Sequence, residues 1–159
     1  MSNWPTEVRL HPSFPTPTHA ITVRQPYAGL IVAGLKPYEF RSAKPPARMI
    51  GQRVAIHAGR STGYWTFDRL ALMPRNHGLI GPLSDPEAVC REAGVVVGSV
   101  VIGAPRRSID IAREWVGGSE WAGEGFWTLY DRWAWPMIDP RMHVGWRTLR
   151  GRLGFWRLS

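Results

Sequence analysis

Cysteine is nearly absent from this chain, Cys90 being the single one in 159 residues. That excludes an internal disulfide framework and a cysteine-rich zinc site, and it fits a reducing compartment. Lysine is almost as scarce, because Lys36 and Lys44 are the only lysines among 20 basic residues. Acid is short as well: 12 Asp+Glu leave a net charge of +8 and a pI near 10.7, which favours an anionic partner such as RNA, DNA or a nucleotide, although charge also serves solubility. Neither end carries an apolar run long enough to span a membrane, and residues 1–19 lack the apolar centre of a signal peptide. The expectation is a cytoplasmic protein with no membrane partner. Internal repeats and low-complexity runs are missing too, and 44% hydrophobic with 20% charged residues fits one globular domain.

What is present gathers around residues 34–41. Tyr27–Ala33 is an apolar run entered through Pro26, as a short helix would be, and Gly34 stands where that helix should end in a left-handed residue. An extended segment should come next. Alternation there sends Tyr38 and Phe40 into packing and puts Glu39 and Arg41 on the opposite face, with Lys36 reaching towards them from the turn. Two readings stand side by side. In one, Glu39 and Arg41 are a surface ion pair and Lys36 is solvated. In the other the three form a site, because a chain that spends arginine almost everywhere has kept a lysine, whose amine can give up its proton and serve as base or nucleophile.

Elsewhere, Ile21–Arg24 alternates as a first strand, Arg53–Ala58 reads as a strand running into a turn over 59–63 that could form an anion nest, and His57 reads as a structural histidine. Residues 42–50 read as a loop in which Lys44 and Arg48 either contact phosphate or lie in solvent. Helices are expected over 64–72 and from Ser84 to Gly94, with Cys90 packed inside. Gly94–Gly103 is β-branched and apolar enough to be a strand covered on both faces. A glycine-rich loop over 117–125 offers Glu120 and Glu124, with Glu114 before it, as candidate second carboxylates. Strands are expected at 126–133 and 152–158. Of the nine tryptophans, Trp127 and Trp156 read as packed, whereas Trp121, Trp133, Trp135 and Trp146 lie near arginines where a base could stack; Tyr27 and Tyr38 could bracket one at the motif.

The spacing Gly34-x-Lys36-x-x-Glu39-x-Arg41, after Ile21–Ala28 and before the strand at 51–58, resembles the ASCH domain family of the PUA-like superfamily. The likeness continues through 98–105 to the closing Gly151-x-x-Gly154-Phe155-Trp156. It implies an α+β, mainly β fold, a PUA-like β-barrel with a few short flanking helices, occupying residues 19–159; residues 1–18, with Pro5, Pro12, Pro15 and Pro17, read as an extended segment that either trails in solvent or lies across the barrel. It also implies a nucleic-acid-directed function. Some members remove an acetyl group from cytidine, some cleave RNA and others only bind nucleic acid; the deacetylating branch shares the lysine but carries threonine in place of Glu39. Carried onto this chain, Lys36, Glu39 and Arg41 are the candidate catalytic residues, with Tyr27, Tyr38, Lys44, Arg48, Trp121 and Trp133 around the ligand. The expected partner is single-stranded RNA, a nucleotide or a modified nucleoside, with no cofactor and no metal. A non-catalytic RNA- or DNA-binding module, or a protein-interaction module, is the alternative.

Overall fold

The computed structural model describes residues 17–62, 92–114, 132–143 and 148–158. The extended segment up to residue 16, the helices expected over 64–72 and 84–94, the packing of Cys90 and Trp127, the glycine-rich loop and the strand expected at 126–133, save its last two residues, lie outside these residues. Within them the chain runs β1 (His19–Gln25), α1 (Tyr27–Val32), β2 (Tyr38–Arg41), a 3₁₀ turn (Ala47–Met49), β3 (Arg53–Thr62), β4 (Val95–Ile102), β5 (Arg106–Arg107), α2 (Ser108–Glu114), β6 (Trp133–Met142) and β7 (Phe155–Arg157). The strands form one sheet in the order β2-β6-β4-β3-β1-β7, with β5 also on β6, curled into a half-barrel. All neighbours are antiparallel except β1 and β3. The expected mainly-β fold is what the chain adopts.

Alternation along the strands explains how both faces are filled. Ile21 and Val23 of β1, Val54, Ile56 and Ala58 of β3, Val100 and Ile102 of β4, and Trp135 and Met137 of β6 join the main core. Ala20, Ala55, Val96 and Trp156 form a smaller cluster, joined by Leu149 and Leu158. The helix α1 lies across β1, β3, β4 and β6. Its residues Ala28 to Val32 are all buried, so this short helix is apolar all round because it plugs the barrel rather than lying on its surface. Gln25, itself buried, accepts the Gly29 amide at 3.0 Å and so satisfies a donor that the helix start leaves open.

Three differences from the sequence-based expectation have simple causes. β3 runs on through Thr62 instead of turning after Ala58, because Gly59 and Thr62 pair with Arg24 and Gln25 of β1; Gly63, the last residue of the turn expected over 59–63, lies outside the described residues. A ten-residue strand, β6, extends past Trp133 through two prolines. Pro136 is tolerated because β6 changes partners there, from β2 and β5 over 133–136 to β4 from Met137 onward. Pro140 sits beside Asp139, which takes φ +46° where the register with β4 shifts, as at a bulge. Finally, the last strand is shorter than expected, Phe155–Arg157, since Gly154 still has φ +64°.

His57 is structural, as read from the sequence. It is 1% exposed, with Nε2 2.9 Å from the Leu149 carbonyl and Nδ1 3.3 Å from the Thr22 hydroxyl, which also accepts the Trp156 indole N–H at 3.2 Å. A second polar cluster ties β3, β4 and β6 together. Arg53 donates to the Ser99 hydroxyl at 3.0 Å and pairs with Asp139, Arg141 reaches the same carboxylate at 3.1 Å, and His143 Nε2 lies 3.2 Å from Ser99. Burial first, then Arg53 and Arg141, push the His143 pKa below its ordinary 6.5. The unfolded chain therefore takes up a proton that the folded one resists. Stability should be full above pH 6.5 and fall as the pH drops from there through the lowered folded pKa. Urea midpoints measured from about pH 8 down to about pH 5 should show this fall, and His143→Gln should make it shallower.

Candidate functional site

The end of α1 sets the site. Gly34 has φ +77°, the left-handed residue expected there, and the amides of Leu35 and Lys36 both donate to the Leu30 carbonyl, at 2.9 and 3.0 Å. The Lys36 backbone is thereby locked onto a buried helix. β2 then pairs with β6 in the register Tyr38↔Pro136, Glu39↔Trp135, Phe40↔Ala134, Arg41↔Trp133. Residues directly opposite one another share a face, so Glu39 and Arg41 lie on the side of the sheet that carries Trp135 and Trp133.

On that face the three ionisable groups meet. Lys36 Nζ donates to Glu39 Oε2 at 2.8 Å and to the Tyr38 carbonyl at 2.6 Å, while Arg41 Nε donates to Glu39 Oε1 at 3.1 Å. Arg41 Nη2 also donates to the Thr22 carbonyl at 2.9 Å, stitching β2 to β1 across the open side of the half-barrel. The solvated surface pair is not what forms, because the Lys36 and Glu39 side chains are only 10% and 12% exposed; Arg41, at 31%, is the outermost.

Aromatic rings complete the surroundings of Lys36. Its Nζ lies 5.5 Å from the Tyr27 ring centroid and 5.3 Å from that of Phe40. Both distances suit attraction between a cation and a ring face. Phe40, expected to turn into packing with Tyr38, is only half buried and belongs to this cage. The pKa of Tyr27 is raised above 10.0, by burial first and by the Glu39 carboxylate second. At neutral pH its phenol keeps its proton, and Tyr27 can serve as a hydrogen-bond donor but not as a base. Tyr38 gives the site its carbonyl, while its hydroxyl accepts from Arg106 Nη1 at 3.4 Å.

The remaining candidates divide. Lys44 is exposed and places Nζ 4.4 Å from the Trp133 ring centroid. Arg48 is exposed on the 3₁₀ turn, and no hydrogen bond or ion pair joins it to the three charged groups. Trp135, expected near a stacked base, is instead core: it is 6% exposed, lies parallel to Phe155 at 5.5 Å and donates its indole N–H to the Ala43 carbonyl at 2.9 Å. It forms the floor under Arg41, whose guanidinium carbon is 5.8 Å from its ring. Trp121, Trp146, Glu120 and Glu124 lie outside the described residues, as does the side chain of Glu114. Arg107 was missed from sequence. Its guanidinium carbon lies 5.1 Å from the Trp133 ring, and the only signal was its place in an Arg-Arg pair ahead of a serine-started helix.

Among the described residues no three His, Cys, Asp or Glu side chains gather as a metal ion would need, and no helix is long and apolar enough to cross a membrane. The ASCH domain profile matches residues 21–120. The chain belongs to the ASCH domain family. Solved ASCH structures share its fold at low identity. The ASCH protein of Zymomonas mobilis is 14% identical, with a TM-score of 0.54 over 89% of this chain and 87% of that one. A tyrosine-to-phenylalanine variant of the same protein gives 14% and 0.52 over 89% of each chain, and a serine-to-alanine variant 14% and 0.54. At that identity the likeness speaks for the fold alone. Comparison with curated proteins finds no match. In this ASCH domain Lys36, Glu39 and Arg41 thus converge on one enclosed group of charges, and no buried side-chain nitrogen or oxygen among the described residues lacks a partner.

Proposed function

We propose that this ASCH domain binds single-stranded RNA or a modified nucleoside against the Lys36–Glu39–Arg41 face and hydrolyses it there, either at an amide on an acylated cytidine or at a phosphodiester. The observation that supports this reading is the enclosed Lys36 ammonium, hydrogen-bonded to a carboxylate at 2.8 Å beneath a more exposed arginine. A structural ion pair needs neither a lysine nor a third charge. Water adds to the acyl carbon or phosphorus as its proton passes to the Glu39 carboxylate, while the Lys36 ammonium gives a proton to the leaving nitrogen or oxygen and recovers one from Glu39 through their hydrogen bond. Arg41 faces the oxyanion that develops. Tyr27, held in its protonated form, supplies a further donor.

The alternative is a module that binds without turnover, and one feature favours it. Both Glu39 oxygens are already engaged, one by Lys36 and one by Arg41, so the same three charges also serve as a rigid binding surface. The deciding experiment incubates the parent, Lys36→Arg and Lys36→Ala with single-stranded RNA and with a panel of acylated nucleosides, and tracks products by chromatography. Lys36→Arg keeps the charge but cannot readily release a proton. Product from the parent, falling by about 100-fold or more in a folded Lys36→Arg, is the expected result. Binding by the parent with no product leaves the binding module; product at the parental rate from Lys36→Arg removes Lys36 from the chemistry.

A further inference from the structure

The face that carries Glu39 and Arg41 continues sideways into a strip of cations held on tryptophan. Trp133 pairs with Arg41 on one side and with Arg107 on the other, so Arg41, Trp133 and Arg107 form one cross-strand row on a single face. Neighbouring strands are about 4.8 Å apart, so the whole row spans roughly 10 Å. Lys44 joins it from the loop after β2. The half-buried Trp133 ring carries the Lys44 ammonium at 4.4 Å and the Arg107 guanidinium at 5.1 Å.

That arrangement changes the role read for Trp133. With two cations already against its ring, it is less a platform for a base than a mount that orients positive charge. Lys44 and Arg107 are both exposed, and no carboxylate among the described residues pairs with either. The nearest acid on the row, Glu39, has both oxygens taken by Lys36 and Arg41. Two oriented cations that no described carboxylate compensates, with Arg107 two strands over from Arg41, are suited to a phosphate, which accepts several charge-assisted hydrogen bonds at once.

We propose that Lys44 and Arg107, mounted on Trp133, clamp a phosphate of the nucleotide that flanks the one at Lys36, so that the ligand is an oligonucleotide rather than a free nucleoside. This rests on the nucleic-acid reading of the Lys36 face and narrows it. The phosphate is either an internal phosphodiester or a terminal phosphomonoester, whose chemistry at the clamp is the same.

The test measures binding of a short single-stranded RNA oligomer, with and without a 5′-phosphate, and of cytidine, over a series of salt concentrations. The proteins are the parent, Lys44→Ala/Arg107→Ala, and Arg150→Ala/Arg152→Ala, which removes equal charge at two other exposed arginines. The clamp variant should lose affinity for the oligomer, with a salt slope smaller by roughly 0.7, as expected when the neutralisation of one phosphate on a single strand is lost. Cytidine binding should not change, and the control pair should keep the parental slope. Loss seen with both oligomers supports an internal phosphodiester; loss confined to the 5′-phosphorylated one supports a terminal phosphate. A clamp variant that keeps the parental affinity and slope overturns the proposal, as does a control pair that loses as much. Cytidine bound as tightly as the oligomer overturns the clamp alone, whereas a parent that binds neither overturns the nucleic-acid reading with it.

Discussion

Glu39→Ala is expected to destabilise the protein by about 3 kcal/mol, the lower end of the cost of removing one partner from a buried ion pair. Among the described residues Glu39 is the only carboxylate on Lys36, whose whole residue is 8% exposed, and it also holds Arg41. Without it the ammonium keeps the Tyr38 carbonyl and two ring faces, but no opposite charge. Arg41, nearer solvent and still bonded to the Thr22 carbonyl, suffers less. Replacing both buried partners should therefore recover most of the loss, and Lys36→Met/Glu39→Gln should lie within about 1 kcal/mol of the parent. Urea unfolding of the three proteins measures both quantities. A Glu39→Ala protein as stable as the parent would mean that the three charges contribute nothing to the fold and that their convergence has to be explained by ligand alone.

Gly98→Ala should be at least as damaging, at about 3 kcal/mol or more, for a reason of shape. Gly98 pairs with Met142, and a Cβ placed on it falls on the Arg141 carbonyl and lies 2.6 Å from Val32 Cγ1 and 2.8 Å from Val32 Cβ. One obstacle is backbone and the other is the last residue of α1. Neither can step aside without moving β6 or the helix. Because Lys36 hangs from the end of that helix through the Leu30 carbonyl, the strain should also reach the site. The expected result is a large drop in the thermal midpoint together with weaker ligand binding in whatever fraction folds. Trimming the helix side with Val32→Ala should relieve only part of the loss, since the carbonyl remains. Parental stability in Gly98→Ala would show that α1 and β6 can both draw back from β4 at no cost.

The legible parts of this protein were those whose cause lies within a few residues along the chain. Gly34 could be read as a helix stop because a left-handed residue there is a local requirement, and the Lys36, Glu39 and Arg41 spacing was informative because a turn and one short strand suffice to bring three side chains together. The strand at 95–102 could be read from its β-branched run, since burial on both faces leaves a continuous apolar signature. β6 could not be read in the same way. Pro136 and Pro140 argue against a strand until it is known that the strand changes partners at one and bulges beside the other.

Sequence by itself therefore determined the mainly-β class, membership of the ASCH domain family, the basic character of the chain and the local group of charges over residues 36–41. Tertiary structure alone decided that this group is enclosed, that Trp135 lies beneath Arg41 as core, and that Trp133 holds Lys44 and Arg107 rather than standing free. The physical reason is distance along the chain. Lys44, Arg107 and Trp133 are brought together by two separate strand pairings on β6, and no periodicity in the sequence records which strands will lie side by side.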